Sequence, residues 1–162
     1  MLSIMVPVAI AMVIIDISRL KQWRLWKLFE PMINSMAREH ELKGDFTGAT
    51  YILVTSCIVI ALFDKPIAMA ALAFIMVGDA AAALIGRKFG KHKFGNKSLE
   101  GSLAFFITAL VVVFVIPGLP YSIGIVGALF GAITEAVSTK IDDNASVPLV
   151  SGLLMQLLMV IW

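Results

Sequence analysis

Apolar residues run along this 162-residue chain in six long blocks, approximately Leu2–Ile17, Thr47–Phe63, Pro66–Gly86, Leu99–Ile116, Ile123–Val137 and Val147–Trp162. Nothing in them alternates apolar and polar with a period of two, so helices are predicted rather than barrel strands. Several blocks are shorter than the roughly 20 residues of a standard spanning helix, so some tilt less or enter from the interface. Backbone groups placed in hydrocarbon must find partners within their own segment, which helices provide. The expected fold class is therefore all-α: a polytopic transmembrane helix bundle of about six spans, with both termini outside. It is read as a single integral membrane domain over 1–162, with residues 18–45 cytoplasmic or interfacial, and 87–98 and 138–146 as cytoplasmic loops.

Composition supports lipid as the solvent. Hydrophobic residues make up 60% of the chain and charged residues 15%, with a mean hydropathy of +0.96. An average soluble domain is roughly 25% charged, and this much apolar surface exceeds what a core of this size can hide. A net charge of +2 matters less than its placement, and no nucleic-acid partner is expected. Of thirteen Lys and Arg, six lie between blocks one and two, five between three and four, and one, Lys140, between five and six. If all six blocks cross, those connections share a side, and only Lys65 falls opposite. That asymmetry is a positive-inside signal and places the three connections in the cytoplasm. The first block lacks the positive start and cleavage pattern of a signal peptide, so a retained helix is expected.

Between Ser18 and Asp45, Leu20, Trp23, Trp26, Phe29, Ile33 and Met36 recur at helical spacing among Arg19, Lys21, Arg24 and Lys27. This predicts a helix lying in the headgroup plane, interrupted at Pro31. The small side chains of Ala80–Ala83 suit close helix approach. Cys57 is the one cysteine, so no intrachain disulfide forms, and His40 and His92 lack the spacing of a metal site.

Acids inside the blocks are few: Asp79 in the third and Glu135 near the end of the fifth, with Asp16 close to an interface. A carboxylate at membrane depth costs about 2.5–3.5 kcal/mol on insertion scales and usually faces a polar cavity. Its bland role here would be an ion pair, such as Asp79 with Arg87. Three further features cluster on the cytoplasmic side. From Arg87 to Lys97 there are five cations in eleven residues, interspersed with Gly90 and Gly95 and preceded by Gly86. Such a run is commonly an anionic-lipid contact, but glycines also let backbone NH groups approach phosphate. Next comes Lys97-Ser98-Leu99-Glu100-Gly101-Ser102, where Ser98 is a natural N-cap and the helix start attracts anions. Last is Asp142-Asp143-Asn144 ahead of Pro148, expected in a first helical turn. Two carboxylates and an amide offer oxygen ligands to Mg²⁺, although Asp-Asp is also an ordinary solvated cap. The stretch from Gly90 through Gly95-Asn96-Lys97-Ser98 imitates a P-loop, but Asn96 separates Gly from Lys and no strand precedes it.

The run GDAAAALIGRKFGKHKFGNKSLEGS, joined to TEAVSTKIDDNASVPL at 134–149, resembles the CTP-dependent lipid kinases: dolichol, polyprenol and phytol kinases and CTP-using diacylglycerol kinases. The likeness extends from about Arg19, through Ala37-Arg38-Glu39-His40-Glu41 and Phe46-Thr47-Gly48-Ala49-Thr50-Tyr51, to the C-terminus. Phosphatidate cytidylyltransferases share a related Asp-helix-Lys-x-x-Glu-Gly layout. One element of the family, Arg-Lys-x-x-His on an earlier helix, has no counterpart here. That leaves room for a missing N-terminal helix or for a second subunit in a homo-oligomer.

The resemblance implies phosphoryl transfer from CTP to the hydroxyl of a membrane lipid (a polyprenol, a phytol-type alcohol or diacylglycerol), with Mg²⁺ as cofactor. Asp79, Asp142 and Asp143 would hold the metal and include the catalytic carboxylate. Lys97, Ser98, Glu100, Gly101, Ser102, Arg87 and Asn144 would bind nucleotide, with Glu135, Arg38 and Thr47 in support. The site would face the cytoplasm from a multi-pass position in the cell membrane. The competing readings are cytidylyl transfer to a lipid phosphate and a non-catalytic or transporter-like bundle.

Overall fold

The computed structural model describes residues 2–23, 27, 44–95, 97–138 and 142–161. Six helices fall where the six apolar blocks predict them: α1 (Leu2–Leu20), α2 (Gly48–Leu62), α3 (Lys65–Phe89), α4 (Leu99–Val115), α5 (Tyr121–Val137) and α6 (Asp143–Ile161). Three of them, α1, α3 and α6, are long and apolar enough to cross a membrane, and α2, α4 and α5 are shorter apolar helices. The described residues are thus all-helical apart from turns and a two-stranded hairpin, β1 (Lys93–Phe94) and β2 (Lys97–Ser98). Most of the interfacial segment expected over 18–45 lies outside the described residues. What is seen of it includes the end of α1, a turn at Lys21-Gln22-Trp23 and, at its far end, Gly44 and Asp45.

Contacts divide the chain into two compact units, Met1–Ile58 and Val59–Trp162. In the first, α1 and the start of α2 are tied by a buried polar knot. Asp16 Oδ2 accepts from the Thr47 amide at 2.8 Å, from Thr47 Oγ1 at 2.9 Å and from Thr50 Oγ1 at 2.6 Å. Its other oxygen pairs with Arg19 Nε at 3.2 Å, and Arg19 Nη2 donates to the Asp45 carbonyl. A carboxylate 31 residues upstream thereby caps α2, where orphan amides at a helix start would otherwise be buried unsatisfied.

The second unit is built on α3 against α4. Gly78, Ala82, Gly86 and Gly90 recur every four residues and give α3 a bare face. Phe105 of α4 lies on Gly78, whose added Cβ would stand 2.7 Å from the ring, and Gly101 lies against the Ala82 carbonyl and Gly86. Phe105 is fully buried and also meets Gly131 of α5. The opposite face of α4 (Leu103, Ile107, Val111, Phe114) is exposed and wholly apolar. A helix apolar on both faces suits a bundle surrounded by lipid.

Two local features depart from the periodic reading. Residues Phe74–Gly78 form a π-helical turn within α3, immediately before Asp79. Pro148 lies inside α6 rather than in its first turn, because the helix starts five residues earlier at Asp143. At the far end of this unit, Gln156 accepts from the Asp64 amide at 2.8 Å and donates to its carboxylate at 2.9 Å, closing the start of α3 onto α6.

Candidate active site

The cationic stretch expected as a loop is mostly structured. Helix α3 continues through Arg87 and Lys88 to Phe89, and Gly90 ends it. The chain then doubles back in the hairpin, with Lys93 opposite Ser98 and Phe94 opposite Lys97. Gly95 takes the left-handed conformation the turn requires, at φ +61°. Ser98 caps α4 as its sequence suggests, its Oγ accepting from the Gly101 amide at 3.2 Å. The side chain is nested among glycines: a Cβ on Gly86, Gly90 or Gly101 would come within 3.0, 2.8 and 3.1 Å of Ser98 Oγ. Gly86 and Gly90 therefore make room for the cap and for the helix crossing.

This cap sends the preceding residue, Lys97, into the bundle. Its Nζ donates to Glu135 Oε1 of α5 at 2.6 Å and to Asp143 Oδ2 of α6 at 2.8 Å. Ser102, one turn into α4, donates to Glu135 Oε2 at 3.1 Å. Four elements thus converge on one ammonium and two carboxylates. The side chains of Glu135 and Asp143 are 2% and 10% exposed, and that of Lys97 is 24% exposed. Burial lowers the lysine's pKa, but the hydrogen bonds and charges of Asp143 and Glu135 outweigh it, so the ammonium is held above its ordinary value.

The neighbouring carboxylates have separate tasks. Asp142 Oδ1 accepts from the Asn144 amide at 2.9 Å, and its carbonyl accepts from the amides of Ala145 and Ser146. It caps α6, while Asp143, first in the helix, turns inward to Lys97. Ser138 and Ser146 hydroxyls meet at 2.7 Å across the connection from α5. Asn144 enters the geometry through its backbone amide.

Asp79 follows the π turn, half-buried on α3. Arg87 is exposed, its Nε turned back to the Ala83 carbonyl at 3.2 Å. Glu100 accepts from the His92 amide and from His92 Nδ1, the latter at 2.8 Å. Among the amides expected to meet phosphate, that of Leu99 donates to the His92 carbonyl and that of Gly101 to Ser98. Thr47 belongs to the Asp16 knot of the first unit, and Arg38 lies outside the described residues. No group of three His, Cys, Asp or Glu among the described residues stands close enough to hold a metal ion. Glu135, nominated only in support, is at the centre of the cluster. Its signal was an acid inside an apolar block. Asp16, assigned no role from sequence, gave the same signal with Arg19 three residues on.

Comparison with known proteins places relatives beside this geometry. A CTP-dependent diacylglycerol kinase 1 of Schizosaccharomyces pombe is 29% identical over 89% of this chain and 74% of its own length. An uncharacterised protein of Methanocaldococcus jannaschii is 38% identical over 74% of this chain and 61% of its own. A probable chloroplastic phytol kinase 2 of Oryza sativa is 29% identical over 76% of this chain and 47% of its own. The chain therefore spans about three-quarters of the first of these and about three-fifths and one half of the other two. Further homologues are named farnesol kinase, in Arabidopsis thaliana, and dolichol kinase, in Schizosaccharomyces pombe. No protein-family model matches the chain, and no solved structure matches it significantly. The resemblance read from the sequence is borne out at the level of the family: this chain is a homologue of lipid kinases named for diacylglycerol, phytol, farnesol and dolichol.

Proposed function

We propose that the chain transfers the γ-phosphoryl group of CTP to the hydroxyl of a membrane lipid alcohol. The observation that carries this reading is Lys97, delivered by a capped helix start to two buried carboxylates on α5 and α6. The names of the homologues supply the reaction class and the nucleotide.

In this reading Lys97 has two partners in turn. Without nucleotide its ammonium neutralises Glu135 and Asp143. With CTP bound it turns to the phosphates, and the positive end of α4 adds to the attraction for the triphosphate. Ser102 keeps Glu135 in place during that exchange. Asp143, the more exposed of the two acids, then accepts the proton of the lipid hydroxyl as its oxygen attacks the γ-phosphorus and CDP leaves. The new O–P bond makes the lipid phosphate the second product, and Asp143 then releases its proton to water.

Magnesium belongs to the proposal as well. The donor set fits it: Glu135 and Asp143 bring oxygens to one point, and Mg²⁺ typically takes one or two carboxylates plus substrate phosphates. Bound there, the ion would offset charge on the phosphates. Asp142, whose carboxylate caps α6, is a weaker candidate ligand than its neighbour.

The lipid tail would enter sideways from the bilayer, so an apolar alcohol need not cross water. The basic connections support a reaction at the cytoplasmic face of the cell membrane, where CTP is available. The test is product analysis with labelled CTP and a panel of isoprenoid alcohols, diacylglycerol and phosphatidate. Release of CDP with a lipid phosphate is expected. Release of pyrophosphate would replace the reading with cytidylyl transfer, and turnover of none of the panel would overturn it.

A further inference from the structure

Glu100 sits in the same short motif as Lys97 and Ser102, yet its carboxylate faces the other way. Successive helical residues are about 100° apart, so Glu100 and Ser102 lie about 200° apart around α4. Ser102 points to Glu135, and Glu100 therefore points away from the cluster. There it accepts from the His92 backbone amide at 3.2 and 3.3 Å through its two oxygens, and meets His92 Nδ1 at 2.8 Å. The Leu99 amide donates to the His92 carbonyl at 3.0 Å, so His92 is gripped from both ends. These contacts close the open end of the hairpin whose second strand carries Lys97. Two-residue strands have little stability of their own.

We propose that Glu100 is a positioning residue: through His92 it clamps the 92–98 hairpin shut and so sets where Lys97 enters the bundle, without touching the nucleotide. The clamp deepens the kinase reading and rests on it for its effect on turnover. The clamp itself can be read without turnover.

A double-mutant cycle separates clamping from direct binding. Glu100→Ala is expected to raise the KM for CTP about tenfold with kcat changed far less, since a displaced Lys97 weakens nucleotide binding in ground and transition states alike. His92→Ala keeps the backbone amide and is expected to give a smaller rise. The combined variant is expected to be no worse than Glu100→Ala alone, because residues acting through one contact are not additive. Glu100→Gln keeps an acceptor for the His92 amide and is expected to restore most of the affinity. Multiplying effects, or a silent His92→Ala beside a severe Glu100→Gln, would mean that Glu100 meets the nucleotide and would overturn the proposal. Hydrogen exchange of full-length protein in detergent micelles gives the second readout. Amides at 93 and 97–99 are expected to exchange faster in both alanine variants than in the wild type, and unchanged protection would overturn the clamp. Should the wild type turn over no CTP, the kinase reading fails, while the exchange data still decide the clamp.

Discussion

Lys97 is the residue on which the most chemistry depends, and its surroundings say what its loss would do. With the ammonium removed, Glu135 and Asp143 would face each other without a counter-charge. Breaking a buried pair from one side costs about 3–5 kcal/mol, and the partial exposure of Lys97 puts this site at or below the lower end. Lys97→Met is therefore expected to lower thermal stability in detergent and to cut phosphoryl transfer by about 10²-fold or more. Glu135→Gln should remove the repulsion and recover stability in the double variant without recovering transfer, and melting curves with product assays check both. The pH dependence has a definite sign. The carboxylates favour the charged lysine, so its folded pKa is raised, and its stabilising contribution is complete below the unfolded value. The melting-temperature difference between wild type and Lys97→Met should hold from neutrality to the ordinary lysine range near pH 10.5, and fade only above it. A decline centred near pH 8 would contradict that environment. Ser98 makes a smaller contribution: Ser98→Ala loses one cap and is expected to cost about 1 kcal/mol.

Among elements, the α3–α4 pair governs the site because it sets the path from Gly90 to Ser98. Gly90→Ala would place a Cβ 2.2 Å from the Gly86 carbonyl, which is backbone of the same helix end and has little freedom to yield. The variant should be destabilised by about 1–3 kcal/mol, and more than Gly95→Ala, whose added Cβ meets no atom within 4 Å although its backbone would be strained. Comparative melting of the two tests whether the glycine serves the crossing or only the turn. Much of this element-scale order was legible in advance. Long apolar blocks bounded by charge and proline foretold the six helices of the described residues, and Ser98 before an apolar run foretold the cap. What escaped depends on geometry that no short pattern carries. A π turn adds one residue to a helix and changes which face follows, so the aim of Asp79 was not readable from periodicity. The division of labour between Asp142 and Asp143 depends on the exact residue at which α6 begins. Glu135 could be seen as an acid in lipid, but its pairing spans 38 residues and required the bundle.

At the scale of the molecule, helix length bears on which helices cross. Helices α1, α3 and α6 have the length, whereas α4 and α5 have 17 residues each, or about 26 Å at 1.5 Å per residue against a hydrocarbon thickness of about 30 Å. A deficit of that size is met by local thinning of the bilayer at a modest cost. The exposed apolar face of α4 gives it no alternative surroundings among the described residues. If α4 and α5 both cross, the hairpin carrying Lys97 and the start of α6 lie on one side, as their contact at 2.8 Å requires. The connection between α4 and α5 and the start of α3 must then lie on the other. Replacing Cys57 with serine and placing single cysteines at Lys65, Phe94 or Pro117 makes this measurable with a membrane-impermeant maleimide. Lys65→Cys and Pro117→Cys are expected to react in intact cells, and Phe94→Cys only after permeabilisation. Reaction of Phe94→Cys and Pro117→Cys from the same side would mean that α4 does not span, and that its 17 apolar residues lie along one face of the bilayer instead.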